Sequence, residues 1–433
     1  MLAAGALALA AGPAVAADSP GVSMPAPREA ADTLRLAVAP PSDSTLAMPR
    51  GRRAADLDPE DHWLRPPFGD QLLTDVDQWR SANGREVRWH ARFDYNRVDP
   101  LRAGVGVQWM PRRPFVPRIG TRFEYAFGRE RGLYGAELEQ PLDPGRRLTL
   151  GASAVRATDH SELQQVENIE NSIDLLFGRT DNRDYFEREG IGAYLSWRVP
   201  DFSTVSLHLR RDEYRSLARH PDARSIFFQD RPLRDNPGVD EGEGHTVTLR
   251  LERLAHRTRR TRSGLYHWIE IERAGGGLGG DFDYARALAD VRSVLRLSPT
   301  TSLVVRGAGG TTTTGVLPFQ KQFTVGGVDG LRAHSFDQYR GDQMVLGQAE
   351  YVVSLWRMRP GAYVSGLHVL TFLDVGRAWS DPDHRFEPWR QPLESDGGFG
   401  IGASEDGLRI TFARNLQKAR ADFVISARLQ RPF

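Results

Sequence analysis

Residues 326–334 read GGVDGLRAH, and residues 372–376 read FLDVG. The first segment places Arg332 in a loop whose glycines permit backbone turns that other residues resist. The second places Asp374 on a strand of alternating polarity. A guanidinium enclosed in a low-dielectric interior needs an acidic partner. Together the two segments predict a charged contact inside a β-barrel, and this moves the search for function away from soluble enzymes.

Most of the chain consists of short alternating segments separated by turn residues, from residue 87 onward. In residues 245–252, for example, Val247, Leu249 and Leu251 alternate with Thr246, Thr248, Arg250 and Glu252. A period of two gives each strand one apolar face and one polar face. In a membrane barrel the apolar face meets lipid and the polar face lines a wet lumen. A soluble β-sandwich or propeller is the alternative.

Short and long connections alternate along the chain. The short ones are residues 111–117, 143–147, 200–201, 298–300 and 404–406, and the long ones are 158–189, 212–244, 309–340 and 380–395. This asymmetry is the pattern of outer-membrane barrels. Tryptophans near strand ends (Trp109, Trp197, Trp356 and Trp379) match an aromatic girdle. The sequence therefore predicts an all-β fold, a transmembrane antiparallel β-barrel of about 16 strands with long extracellular loops, over residues 86–433.

Composition agrees with this prediction. The net charge of +1, from 57 basic and 56 acidic residues, lacks the basic excess that a nucleic-acid partner would require. The mean hydropathy of −0.47 suits a barrel, in which only alternate residues face lipid. Residues 1–17 resemble a secretory signal, with a disordered alanine-rich tail as the alternative. Residues 18–85 are rich in proline and predict a largely disordered extension.

Residue parity places further polar groups in the lumen. In residues 343–355 the apolar set faces lipid, so Glu350 faces inward together with Gln348. In residues 367–379 the same argument turns Phe372, Asp374 and Gly376 inward. Arg332 could therefore be clamped by Glu350 and Asp374 together, since its planar fork suits such pairing. A solvated surface arginine is the alternative.

These residues resemble the BamA/TamA family of outer-membrane assembly factors, also called the bacterial surface antigen family. In that family an extracellular loop folds back into the barrel, and its arginine contacts acidic residues of the inner wall. The resemblance implies a loop clasp formed by Arg332, Glu350, Asp374, Gly330, Leu331, Phe372 and Gly376. It also implies that Phe433 is the C-terminal aromatic that the barrel-assembly machinery reads, and that the chain is integral to the outer membrane of a Gram-negative bacterium.

Two departures from the family pattern affect these expectations. Ala333 and His334 stand where the family prefers glycine and then tyrosine or phenylalanine, which predicts a looser clasp or a divergent branch. Residues 18–84 are too proline-rich and aperiodic to form a convincing POTRA repeat, so we expect a barrel without such repeats. Pro432, which cannot donate a ladder hydrogen bond, and the polar first strand near residues 86–95 are compatible with a weak seam.

The resemblance implies a function in inserting or translocating proteins or lipids at the outer membrane. The expected partners are membrane lipid, the barrel-assembly machinery during biogenesis, and client outer-membrane proteins or a periplasmic scaffold. A passive pore or structural barrel, plugged by its inward loop, is the alternative.

A hydrolase is a third possibility, because residues 159–161 (Asp-His-Ser) and 383–384 (Asp-His) lie in predicted extracellular loops. The sequence contains no G-x-S-x-G or H-E-x-x-H motif. We interpret both His-Asp pairs as solvated, and expect no enzyme activity, catalytic residue, metal or cofactor. In residues 162–186, apolar residues at helical spacing predict a helix over the barrel mouth: Leu163, Val166, Ile169, Ile173, Leu176 and Phe177.

Overall fold

The computed structural model describes residues 87–111, 113–161, 163, 166, 168–199, 203–253, 264–357, 366–403 and 408–428. The predicted signal segment, the proline-rich extension, Pro432 and Phe433 lie outside these residues.

Eighteen strands occur in the described residues. They are β1 (Val87–Asp94), β2 (Arg102–Trp109), β3 (Arg118–Ala126), β4 (Arg131–Pro141), β5 (Leu148–His160), β6 (Tyr185–Arg198), β7 (Thr204–Ser216), β8 (Gly242–Arg253), β9 (Gly264–Ala274), β10 (Tyr284–Arg296), β11 (Thr301–Gly315), β12 (Phe323–Val325), β13 (Tyr339–Gly341), β14 (Gln343–Arg357), β15 (Gly366–Trp379), β16 (Glu394–Ala403), β17 (Arg409–Asn415) and β18 (Val424–Arg428).

Sixteen of these strands form one sheet in chain order, and each is antiparallel to its neighbour. β12 and β13 pair only with each other, inside the connection from β11 to β14. Over the described residues, β1 and β18 are the two ends of the sheet. The prediction of about 16 strands is confirmed, because period-two patterning makes each strand recognisable on its own.

The two faces of the sheet differ as the alternation predicts. Leu207 and Leu209 of β7 are exposed on the outer face, whereas Ser206 and His208 are buried on the inner one. Arginines and carboxylates dominate the buried polar set, so the sheet encloses a charged interior and presents apolar side chains outward. The predicted place of Trp379 in an outer aromatic girdle is wrong, because its side chain is buried against Phe386, with ring centroids 6.0 Å apart.

The connection between β5 and β6 contains one short helix, α1 (Asn168–Ile173), which continues into a π-helical turn (Asp174–Gly178). The predicted helix is therefore present but shorter than its apolar pattern suggested. Its buried contacts are partly polar, since Glu170 and Asn171 are each 1% exposed while Ile169 is half exposed. No helix among the described residues is long and apolar enough to cross a membrane.

Candidate functional site

The connection between β11 and β14, residues 316–342, is called the inward loop here. The β12–β13 pair closes its base, with Val325 opposite Tyr339. The turn after β12 depends on glycine, because Gly326 has φ +140° and a Cβ there would lie 2.4 Å from the Ser335 carbonyl oxygen. Leu331 is fully buried in an apolar cluster with Phe323 and residues of the wall. This packing directs the next residue, Arg332, into the interior.

Arg332 lies between two wall carboxylates. Its Nη2 is 2.8 Å from Glu350 Oε1 on β14, and its Nε is 3.1 Å from Asp374 Oδ2 on β15. The guanidinium carbon lies 4.0 Å from the ring centroid of Phe372, which is cation–π geometry. All four side chains are nearly or completely buried. The structure therefore brings together the arginine and both carboxylates that the sequence placed on the inner face.

Each carboxylate also has a second partner. Both oxygens of Glu350 accept hydrogen bonds from Arg409 Nη1 on β17, at 3.0 Å. Asp374 accepts a hydrogen bond from the Gln348 amide at 3.1 Å, and the same amide donates to the Gly330 carbonyl oxygen at 2.8 Å. Glu350 is thus shared by two arginines. The clasp consequently joins the inward loop to β14, β15 and β17 in one network.

Two of the predicted residues serve the backbone. A Cβ on Gly376 would lie 2.6 Å from the Val345 carbonyl oxygen on the neighbouring strand. A Cβ on Gly330 would lie 2.8 Å from the Gly326 nitrogen. Side chains at either position would therefore force the backbone apart. Phe433, the predicted assembly signal, lies outside the described residues.

A second anchor lies on the next strands of the wall. Asp374 of β15 is opposite Asp396 of β16, which in turn is opposite Asn415 of β17. The Ala333 backbone nitrogen donates to Asp396 Oδ2 at 2.7 Å, and His334 Nδ1 donates to the same oxygen at 3.0 Å. The Asn415 amide is 3.1 Å from His334 Nε2. The segment after Arg332 is therefore held by a polar site instead of the aromatic anchor of the family pattern.

Asp329, three residues before Arg332 in the inward loop, contacts strands on both sides of the clasp. Arg306 of β11 donates to the Asp329 carbonyl oxygen at 2.8 Å and to Gln348 at 3.0 Å. Arg428 of β18 lies 2.6 Å from the Asp329 carboxylate. Our sequence reasoning missed the roles of Asp396, Arg306 and Arg409. Alternation along each strand could have shown that all three side chains face inward. It carries no information on strand register, however, and the register decides which partners they meet.

The interpretation of the first His-Asp pair as solvated is wrong, because Asp159 and His160 end strand β5 and Asp159 is buried. Both pairs have structural partners. Asp159 Oδ2 is 2.6 Å from Arg188 Nε, and His160 Nδ1 is 2.9 Å from the backbone carbonyl oxygen of Ser161. His384 Nδ1 is 3.5 Å from Asp342. Within the described residues, no group of His, Asp and Glu side chains has the arrangement of a metal site.

A sixteen-stranded antiparallel sheet with an apolar outer face, a charged interior and a loop bound inside it defines an integral outer-membrane β-barrel of Gram-negative bacteria. Residues 84–423 match the Omp85 superfamily domain, and the chain belongs to this superfamily.

The chain is also similar in sequence to a known outer-membrane protein. Over 227 residues the chain is 25% identical to the outer membrane protein assembly factor BamA of Nitratidesulfovibrio vulgaris strain Hildenborough. That match covers 48% of this chain but only 27% of the relative, so the chain spans about a quarter of the relative's length.

Among solved structures, the chain is similar to BamA from Haemophilus ducreyi lacking POTRA domains 1–3, with a TM-score of 0.54 and 12% identity. That likeness covers 79% of this chain and 70% of the other, and at this identity it shows the fold alone. CdiB from Escherichia coli matches with a TM-score of 0.45 and 11% identity, over 80% of this chain and 62% of the other.

Proposed function

We propose that the chain assists the insertion or translocation of proteins or lipids at the outer membrane. The observation that carries this proposal is the pair of sheet ends: over the described residues, β1 and β18 are the terminal strands of the sheet. In this proposal the two end strands separate, and the backbone N–H and C=O groups exposed in that way pair with an incoming extended chain. Membership of the Omp85 superfamily and the likeness to an outer membrane protein assembly factor support the same proposal.

In this proposal the clasp of Arg332, Glu350 and Asp374 keeps the inward loop seated, so that the loop fixes the wall strands leading to β18. The contacts that support it run from β11 to β18, through Arg306, the clasp, Asp396 and Arg428. The proposed partners are membrane lipid and client outer-membrane proteins or a periplasmic scaffold. The barrel-assembly machinery, reading Phe433, would act during biogenesis.

The test uses the absence of cysteine from the sequence. Cysteines replacing Phe93 on β1 and Ile425 on β18, both exposed on the outer face, allow the two sheet ends to be joined by a bifunctional thiol reagent. We expect the protein in liposomes to accelerate the folding of a client barrel, followed by its heat-modifiable band shift. Joining the sheet ends should lower the rate to that of empty liposomes.

The matched control joins Ile410 to Ala427, which face each other across the existing β17–β18 ladder. This cross-link should leave the rate unchanged, because it locks strands that are already paired. If the uncross-linked protein folds the client no faster than empty liposomes do, the assembly proposal is wrong.

A passive pore is the second candidate, and the buried ion pairs of Arg332 with Glu350 and Asp374 favour it, since a loop bound to the inner wall would narrow the lumen. Arg332→Ala should then raise single-channel conductance, whereas Arg273→Ala, at an exposed ion pair with Asp283, should not. An unchanged conductance in Arg332→Ala would argue against a plug.

A further inference from the structure

The last described strand carries an arginine with two partners from different loops. Arg428 of β18 is 6% exposed. Its Nε donates to Glu170 of helix α1, and its Nη1 lies 2.6 Å from Asp329 of the inward loop. Glu170 is separated from Arg428 by 258 residues and is itself 1% exposed. A buried arginine held by two carboxylates fixes the position of its β-strand, because moving the strand would leave all three charges without partners.

The same helix also contacts the opposite end of the sheet. Ser172 Oγ donates to Asp94 Oδ1, at the end of β1, at 3.0 Å. The backbone nitrogen of Tyr95, the next residue, donates back to Ser172 Oγ at 3.0 Å. Glu170 and Ser172 are two residues apart on α1. One short helix therefore contacts β18 through Glu170 and β1 through Ser172.

Helix α1 is itself fixed to the loops around it. The Asn171 amide donates to Asp181 Oδ1 at 3.0 Å and to the Tyr185 hydroxyl at 2.8 Å. Asp181 Oδ2 accepts the Arg97 backbone N–H, which belongs to the β1–β2 connection, at 3.0 Å. Helix α1 is thus anchored through Asp181 to the β1–β2 connection and through Tyr185 to the start of β6.

We propose that helix α1 is an interior latch that ties β1 to β18 through side chains and couples both strands to the inward loop. The chain of contacts runs from Asp94 to Ser172, then from Glu170 to Arg428, and from Arg428 to Asp329. Three residues after Asp329 lies the clasp arginine. Opening between β1 and β18 requires this helix to release one of the two strands. The latch concerns the barrel itself and does not depend on any client.

The test measures the distance between the two sheet ends directly. Nitroxide labels on Phe93→Cys and Ile425→Cys, in a chain without other cysteines, report the distance by double electron–electron resonance in lipid nanodiscs. We expect one narrow population with the latch intact. Glu170→Gln removes one of the two carboxylate charges that Arg428 meets, and Ser172→Ala removes the hydroxyl that donates to Asp94. Each should add a second, longer population.

Glu270→Gln is the matched control. Glu270 is also 1% exposed and also meets arginines, Arg250 at 2.6 Å and Arg286 at 3.0 Å, but it lies on β9, far along the sheet from both ends. It should leave the narrow population unchanged. Ser172→Ala is too small a change to prevent folding, so it decides the matter if Glu170→Gln fails to fold. Wild-type distance distributions in Ser172→Ala and in any folded Glu170→Gln protein would overturn the latch, whatever the outcome of the client assay.

Discussion

Replacing Arg332 with alanine removes the guanidinium that two buried carboxylates share. Breaking a buried ion pair by removing one partner costs about 3–5 kcal/mol, because a charge is left uncompensated. The structure reduces this figure, since Glu350 keeps Arg409 at 3.0 Å and Asp374 keeps the Gln348 amide at 3.1 Å. We therefore expect Arg332→Ala to shift the equilibrium of the inward loop toward an open state by about 2–4 kcal/mol.

Amide hydrogen exchange reads this equilibrium when the loop closes faster than the open amide exchanges. The Ala333 N–H is the reporter, because it donates to Asp396 only when the loop is seated. Since each 1.4 kcal/mol is a factor of ten, its protection should fall roughly 30- to 1,000-fold in Arg332→Ala.

Arg273→Ala is the control for removing an arginine. Arg273 pairs with Asp283 at 2.6 Å, but both side chains are largely exposed, and such pairs contribute about 0–1 kcal/mol. Protection of the Ala333 amide should therefore stay at the wild-type level. If Arg332→Ala also keeps wild-type protection in a folded barrel, the ion pairs do not hold the loop and the reasoning is refuted.

Three other changes test neighbouring parts of the structure. Gly326→Ala puts a side chain at φ +140° and 2.4 Å from the Ser335 carbonyl oxygen, so it should destabilise the seated loop by about 1–3 kcal/mol; exchange rates that match wild type would contradict this. His334→Leu removes a donor from buried Asp396 at a cost of about 1–3 kcal/mol, and exchange of the inward loop should accelerate in proportion. Burial raises the pKa of Asp174, in the β5–β6 connection, from 3.8 to about 7. An acid with a raised pKa stabilises its surroundings fully below about pH 4, and this stability is lost as the pH rises through 7. The exchange protection of α1, corrected for intrinsic rates, should therefore fall between about pH 4 and 7 in the wild type and stay level in Asp174→Asn.

Strand faces could be predicted from the sequence because alternation is a local property. The alternation within each strand shows which of its residues face inward, and the structure buries Phe372, Asp374 and Gly376 on the inner face. Strand number followed from the same signal. The pairing of Arg332 with two carboxylates needed more than parity, and came from the resemblance to a family whose loop folds inward.

The remaining contacts depend on information that no local pattern contains. Asp396 meets the loop only because the register of β15 and β16 sets it opposite Asp374. Arg428 and Glu170 are 258 residues apart, so no spacing rule connects them. In α1 the spacing of apolar residues predicted the helix, whereas the polar residues Glu170 and Ser172 between them contact β18 and β1.

Ala333 and His334 predicted a looser clasp, because a methyl and an imidazole replace glycine and an aromatic ring. The structure instead gives this segment a second carboxylate, Asp396, which accepts from both residues while completely buried. Hydrogen bonds to an ionised acceptor are roughly twice as strong as neutral ones, so a polar anchor can replace an apolar one. Asp374 and Asp396 are direct neighbours across the sheet, and the loop contacts both within three consecutive residues. The seated loop therefore depends on strand register, since a slip of one residue between β15 and β16 would turn Asp396 to the lipid face and remove the second anchor.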